Sequence, residues 1–292
     1  MTTVKRVTVP AVRAMKREQR IGMLTAYDYP SAKIVDSAGA DIILVGDSLG
    51  MVVLGYPDTL SVTMDDMLHH TRAVVRGTTR ALVVGDMPYL SYHVSIEESV
   101  RNAGQFIRAG AQAVKIEGGK PPRIRTIEAI LDAEIPVMGH IGLTPQSVNV
   151  VGGFKLQGKH ADDAHRLIDE AVALDQVGCF SIVLECVPTE LAAMITQRVS
   201  APTIGIGAGP SCDGQVLVLH DLLGLYDNLA PKFVRKYAEA GKEMRSAIEH
   251  FLEDVRNGSF PNASTESFHM SSAEELKRLY GDAVVVPMPK AN

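Results

Sequence analysis

Two acidic residues follow near-identical phrases: Asp47 closes ILVGD and Asp86 closes LVVGD. Apolar runs of this kind suit buried strands, which places both carboxylates at strand ends, at equivalent heights on neighbouring strands. Two carboxylates near one point repel unless a cation lies between them. There is no Cys or His cluster of ligand spacing. The expected cation is therefore a hard one with oxygen ligands, Mg²⁺ first, its shell completed by waters and substrate oxygens. Lys115 and Glu117 share one side of a further strand. Glu117 is a third ligand, acts through water, or pairs with Lys115. Lys115 is a Schiff-base nucleophile or a cation balancing a bound carboxylate or enolate, and an adjacent metal favours the second. His140 opens HIGLTPQ and suits donation to a substrate oxygen, with a structural histidine as the alternative. Glu185 follows the apolar run SIVL, where partial burial would raise its pKa towards that of a useful base.

Residues so far apart in sequence meet only if a repeating fold returns each to the same end. Short β-branched runs alternate with segments of helical spacing. Strands are predicted at 21–26, 41–45, 81–84, 113–116, 136–138, 181–184, 203–206 and 215–219. Helices are predicted at 30–38, 64–76, 96–108, 122–132, 162–176, 189–198 and 231–255. Strand and helix in strict turn imply right-handed βαβ crossovers and a parallel sheet. Eight strands in about 200 residues favour a closed (β/α)8 barrel over an open doubly wound sheet. Barrel enzymes place their active sites at the C-terminal ends of the strands. Those ends carry Tyr27-Asp28, Asp47-Ser48, Asp86, Lys115 and Glu117, His140 and Glu185.

Local signals support the division. Thr63 with Asp66 and Ser95 with Glu98 mark helix starts, Pro122 marks a first turn, and Gly39, Gly77, Gly110 and Gly178 mark helix ends. Residues 207–214 are too few for a crossover helix, so the seventh helix is expected to be missing or a single turn. Gly205, Gly207 and Gly209 lack dinucleotide-fold spacing. They read as tight packing or close approach to a flat ligand, with phosphate binding as the alternative. The long connection 143–160, without a pattern of its own, is a candidate lid.

Composition narrows the function classes. The 292 residues are 46% hydrophobic and 22% charged, as in ordinary globular proteins. A net charge of −5 lacks the basic field that nucleic-acid binding requires. The longest unbroken apolar run, Leu191 to Ile195, falls far short of the ~20 residues of a membrane-spanning helix. Cys179, Cys186 and Cys212 form no CxxC pair and read as inert thiols of a cytosolic protein. The basic start is expected to form a short surface helix at about 10–16, outside the main fold, rather than a secretory leader. One barrel domain is expected over 1–292, with residues from about 256 onward forming an appendage that docks on a neighbouring subunit.

The segments MLTAYDYPSA, VGDSLGMVVLGYPDTLSVT, GDMPYLSY, VKIEGG, PVMGHIGLTPQ and LECVP, with GIGAG followed by CDGQVLVLHD, together resemble the ketopantoate hydroxymethyltransferase family of pantothenate biosynthesis. The resemblance runs in one order from about Met23 to Leu225. That family is in turn similar to the phosphoenolpyruvate mutase and isocitrate lyase barrels, whose KKCGH-type catalytic loop is absent here. The resemblance implies a (β/α)8 TIM barrel of that type in a cytoplasmic, homodecameric enzyme with one Mg²⁺ per subunit. The implied reaction transfers the one-carbon unit of 5,10-methylenetetrahydrofolate to 3-methyl-2-oxobutanoate, giving 2-dehydropantoate. It places Asp47 and Asp86 on metal ligands and Glu117 on the third acidic position of the metal site. Asp47, Ser48, Asp86 and Lys115 fall on positions at the ketoacid, His140 on a histidine of the pocket, and Glu185 on the proton acceptor. It assigns no folate-contacting residues.

Overall fold

The computed structural model describes residues 5–153, 155–226 and 231–281. Eight strands form a closed parallel barrel in sequence order. They are β1 (Ile21–Thr25), β2 (Ile42–Val45), β3 (Leu82–Asp86), β4 (Ala113–Glu117), β5 (Val137–Gly142), β6 (Ser181–Glu185), β7 (Thr203–Ile206) and β8 (Gly214–Leu217). Closure is the β1–β8 ladder, in which Met23 pairs with Val216. Preceding and covering the strands are α1 (Val9–Ala14), α2 (Tyr29–Ser37), α3 (Leu49–Val52), α4 (Met64–Gly77), α5 (Ile96–Arg108), α6 (Pro121–Asp132), α7 (Val148–Val151), α8 (Ala161–Val177), α9 (Thr189–Arg198) and α10 (Leu219–Leu223). The chain divides into two compact units, Met1–Tyr237 and Ala238–Asn292. The second unit carries α11 (Ala240–Asn257) and α12 (Ala273–Tyr280).

The strands are buried on both faces, as parallel sheets must be. Ile42, Leu44, Leu82, Val84 and Met138 pack inside the barrel, while Ile43, Val45, Val83, Val114 and Ile182 pack outwards against the helices. Gly85 is an outward position because the Phe106 ring of α5 occupies the space a Cβ would need. Thr63 and Asp66 cap α4 reciprocally, and the Ser95 hydroxyl accepts the Glu98 N–H. Gly39, Gly110 and Gly178 have the positive φ of helix ends. Gly77 does not: it is the last residue of α4, and a Cβ there would lie 2.5 Å from the Tyr29 carbonyl oxygen.

Three expectations are corrected. The N-terminal helix is not outside the main fold. Val7 and Val12 are buried with Ile21, Ile42, Leu82 and Ile204, so α1 stops the lower end of the barrel. Lys16 locks it there, its Nζ donating to Asp213 and to the Thr196 and Ala201 carbonyls. The last helix begins at Ala240, not at 231. The Tyr237 N–H donates to the Leu222 carbonyl at 2.8 Å and the Phe233 ring packs at Gly207, so this stretch is committed to the barrel unit. Finally, the 143–160 connection has structure of its own, a 3₁₀ turn at Pro145–Ser147 followed by α7. No helix separates β7 from β8, as its length implied.

Candidate active site

The two-residue period of a strand decides what faces the barrel axis. Leu82, Val84 and Asp86 share the inner face of β3; Ala113, Lys115 and Glu117 that of β4; Met138 and His140 that of β5; Val183 and Glu185 that of β6. The lower members fill the barrel and the upper members are titratable. Asp86, Glu117, His140 and Glu185 are thus strand residues rather than loop residues. Asp86 is in register with Lys115 and Glu117 with His140.

Asp47 arrives differently. Ile42 is in register with Leu82 and Val45 with Gly85, so it is Gly46, not Asp47, that continues opposite Asp86. The two GD phrases are staggered by one residue, and the equal heights expected of them are not found. The chain turns into α3 after β2, and the Asp47 N–H donates to Asp86 Oδ2 at 3.3 Å. Ser48, at the start of α3, shares a 2.8 Å hydrogen bond with the buried Tyr27 hydroxyl. Asp28 is diverted from the site: it caps α2 by accepting the Ser31 N–H.

Asp47, Ser48, Asp86, Lys115, Glu117, His140 and Glu185 all line one cavity of about 400 Å³. The sequence reading did not single out Thr25, Asp221, Lys232 or Phe233, which also line it. Gly207, at φ +64°, lets the Phe233 ring approach to within 2.7 Å of where a Cβ would stand, which favours packing over phosphate binding for the glycine stretch.

Charge is concentrated here under burial. Lys115 Nζ lies 2.7 and 2.8 Å from the Asp86 oxygens and 3.8 Å from Glu117 Oε1. Burial works against the ammonium, but the charges of Asp86, Glu117 and Asp47 outweigh it and raise its pKa. Lys115 is therefore a cation rather than a free amine nucleophile. Burial, with repulsion from Asp86 and Glu117, holds the Asp47 carboxyl well above the usual carboxylate range. Burial also raises Asp86, with Lys115 opposing the rise. For Glu117 burial is overcome by His140 and Lys115, and its pKa is lowered. His140 lies between two acids, Nδ1 at 3.5 Å from Glu117 Oε1 and Nε2 at 3.3 Å from Glu185 Oε2. Burial and Lys115 oppose its protonation, yet Glu117 and Glu185 push it up to about 9. The Glu185 side chain is 17% exposed, against 2–5% for its charged neighbours His140, Asp86, Glu117 and Lys115.

With Asp47 ionised, the three buried carboxylates would carry more negative charge than Lys115 balances, since the charge of His140 is already shared between Glu117 and Glu185. Burial first, and then the charges of Asp86 and Glu117, make Asp47 resist ionisation, and Glu117 Oε1 is buried without a hydrogen bond. A hard divalent cation relieves both conditions, so the donor set fits one. Among the described residues no three His, Cys, Asp or Glu groups already form a metal shell; water and substrate oxygens would have to complete it. The three cysteines are free, and burial pushes the Cys179 and Cys186 thiols up to about 12, away from reactivity.

Sequence reasoning missed Gln146 and Tyr92. Gln146 ends the same HIGLTPQ phrase that His140 opens, and Pro145 before it starts the 3₁₀ turn that follows β5. Its side chain donates to Asp47, and Tyr92 donates to it. An uncharged residue in a loop carries no local sign of such a role.

A sequence-family model described as ketopantoate hydroxymethyltransferase matches residues 6–263. The 3-methyl-2-oxobutanoate hydroxymethyltransferase of Syntrophomonas wolfei is 57% identical over 94% of this chain and 99% of its own length. The enzyme of the same name from Syntrophobacter fumaroxidans is 56% identical over 93% and 96%. Among solved structures, phosphonopyruvate hydrolase in complex with oxalate and Mg²⁺ is similar in fold, with a TM-score of 0.57 and 15% identity over 94% of this chain and 95% of that one. A 2,3-dimethylmalate lyase of the phosphoenolpyruvate mutase/isocitrate lyase superfamily likewise gives 0.57 at 17% identity, over 96% and 95%. No helix among the described residues is long and apolar enough to cross a membrane. The match spans the whole barrel and every acid at its mouth: the chain belongs to the ketopantoate hydroxymethyltransferase family.

Proposed function

We propose that this chain is a 3-methyl-2-oxobutanoate hydroxymethyltransferase, moving the one-carbon unit of 5,10-methylenetetrahydrofolate to C3 of the 2-oxoacid and so forming 2-dehydropantoate. The observation that carries the reading is a division among the carboxylates. Asp47, Asp86 and Glu117 are buried around Lys115, whereas Glu185 faces the same cavity from its more open side with His140 at 3.3 Å. The first set suits holding a cation and a chelating 2-oxoacid; the last suits moving a proton.

Asp47 and Asp86 would hold Mg²⁺, with Glu117 as a third ligand or one acting through water. When bound, the ion supplies a Lewis acid for the ketone and carboxylate oxygens of the substrate. Water adds to the folate methylene and both of its C–N bonds break, freeing tetrahydrofolate and a one-carbon unit at the formaldehyde level. Glu185 accepts the C3 proton, the electron pair left at C3 forms the new bond to that carbon, and its oxygen takes up a proton to give the hydroxymethyl group. Lys115 and protonated His140 offset the negative charge that grows on the substrate oxygens. Ser48 orients the 2-oxoacid from the start of α3. This reading extends to a cytoplasmic homo-oligomer, a decamer by family resemblance. The exposed stripe Met244, Ile248, Phe251, Leu252 and Val255 along α11 supports assembly with a neighbour.

The test is exchange of the C3 proton of 3-methyl-2-oxobutanoate into D₂O, followed by NMR with and without Mg²⁺ and folate. Metal-dependent exchange without folate is expected, because enolisation precedes one-carbon transfer. No exchange under any condition would remove the mechanism.

A further inference from the structure

Gln146 is buried, uncharged and outside the cavity wall, yet its polar groups reach two of the acids proposed to receive the cation. Its backbone N–H donates to Glu117 Oε2 at 3.2 Å. Its side-chain Nε2 donates to Asp47 Oδ2 and to the Met87 carbonyl, both at 2.9 Å. Its Oε1 accepts from the Tyr92 hydroxyl at 2.5 Å.

Chemistry fixes which way round the amide lies. The Met87 carbonyl can only accept, so the amide atom beside it is the nitrogen. The Tyr92 oxygen accepts the Glu117 N–H at 3.3 Å, which turns its own proton towards Gln146 Oε1. With both ends of the amide committed, the second side-chain N–H is left for Asp47.

The result is selective. Gln146 occupies Oδ2 of Asp47 and Oε2 of Glu117. Asp47 Oδ1 has no hydrogen bond among the described residues, and Glu117 Oε1 is buried without one. One oxygen of each acid is fixed; the other carries no hydrogen bond, that of Glu117 having only the longer ion-pair contacts of Lys115 at 3.8 Å and His140 at 3.5 Å. Because the donor is a neutral amide, the pair is oriented without being neutralised; a lysine here would satisfy the acids and weaken their hold on a divalent ion.

We propose that Gln146 is a positioning residue that sets divalent-cation affinity, by fixing Asp47 and Glu117 through one oxygen each. The inference rests on the assignment of Asp47 as a metal ligand, so the experiment includes a variant that tests this separately. Mn²⁺ binding to the full chain without substrates, read by electron paramagnetic resonance of free ion, is compared for the parent, Gln146→Met, Tyr92→Phe and Asp47→Asn, with thermal melts of each.

Gln146→Met keeps the volume and the backbone N–H but removes the amide. It should weaken Mn²⁺ about 10-fold or more, the usual scale for a group that orients a metal ligand. Tyr92→Phe, which frees the carbonyl end of the amide, should weaken it less. Asp47→Asn should lose it. Parent-like Mn²⁺ affinity in Gln146→Met, alongside loss in Asp47→Asn, overturns the inference and leaves the ligand assignment standing; Gln146 would then only pack. Parent-like affinity in Asp47→Asn overturns the ligand assignment and the inference together. Should Gln146→Met not fold, Gln146→Asn, whose shorter amide cannot reach Asp47 and Met87 together, is read by the same criteria.

Discussion

Lys115 reaches across one ladder rung to Asp86: the two residues are in register on β4 and β3, and the ammonium lies 2.7 and 2.8 Å from the carboxylate oxygens. Both side chains are buried. An ion pair so placed adds little net stability, since desolvation offsets its attraction, but removing one partner leaves a buried charge unpaired. The pair therefore keeps charge available at the floor of the cavity.

Lys115→Met is expected to cost about 3–5 kcal/mol at neutral pH, the usual scale for breaking a buried pair. The loss should shrink in acid, where Asp86 can take up a proton. Denaturant melts of parent and variant at pH 7.5 and pH 5 measure this, and equal losses at both would mean that Asp86 does not change its protonation between them.

Asp47→Ala and Asp86→Ala should each lose Mg²⁺ and 2-oxoacid binding together, because the substrate is proposed to chelate the ion these carboxylates hold. Titration calorimetry with Mg²⁺, then with 3-methyl-2-oxobutanoate, reads both. Unchanged metal affinity in both variants would move the metal site elsewhere.

Glu185→Gln preserves size and hydrogen-bonding capacity but removes the proton acceptor. Metal and 2-oxoacid binding should survive while C3 exchange falls by ~10²-fold or more. Exchange near the parent rate would hand the proton to another group, Lys115 being the nearest alternative in character.

His140 gives a pH signature. Against burial and the Lys115 charge, Glu117 and Glu185 push its pKa up to about 9, above the ~6.5 of a free imidazole. A raised pKa stabilises the fold fully below about pH 6.5, and the contribution fades as pH rises through about 9. In the metal-free chain, His140→Gln should therefore lose less stability than the parent between pH 7 and pH 9.5. A ¹⁵N titration of the ring with its midpoint near 6.5 would mean that the two acids do not hold it charged.

The connection after β5 should behave as two pieces. Leu143 donates to the Glu185 carbonyl at 2.8 Å and Gln146 is buried, whereas Val150 is 90% exposed. Hydrogen exchange across 143–147 should be slow with or without ligands. Across 148–153 it should be fast in the free chain and slowed by Mg²⁺ with 2-oxoacid; no slowing there would count against a lid.

What the sequence revealed depended on how local the signal was. The eight apolar runs and the helix caps at Thr63 and Ser95 are short-range features, and they gave the barrel. Inward placement of Asp86, Lys115, Glu117, His140 and Glu185 follows from two-residue alternation below each, also local. The stagger between Asp47 and Asp86 was hidden because strand register is decided between strands, so matching phrases need not lie side by side. Gln146 was hidden because its role arises from partners on three other segments. The lower plug was misread since a short amphipathic helix does not say which surface it will meet; Val12 found the barrel floor.

That plug bears on traffic. Val7 and Val12 seal one end and apolar side chains fill the shaft above them, so among the described residues the reaction chamber is closed from that end. Under the proposed chemistry, both reactants enter and both products leave by the same doorway. The side from which the chamber is reached is thus fixed by a helix that lies at the opposite end of the barrel from the chemistry.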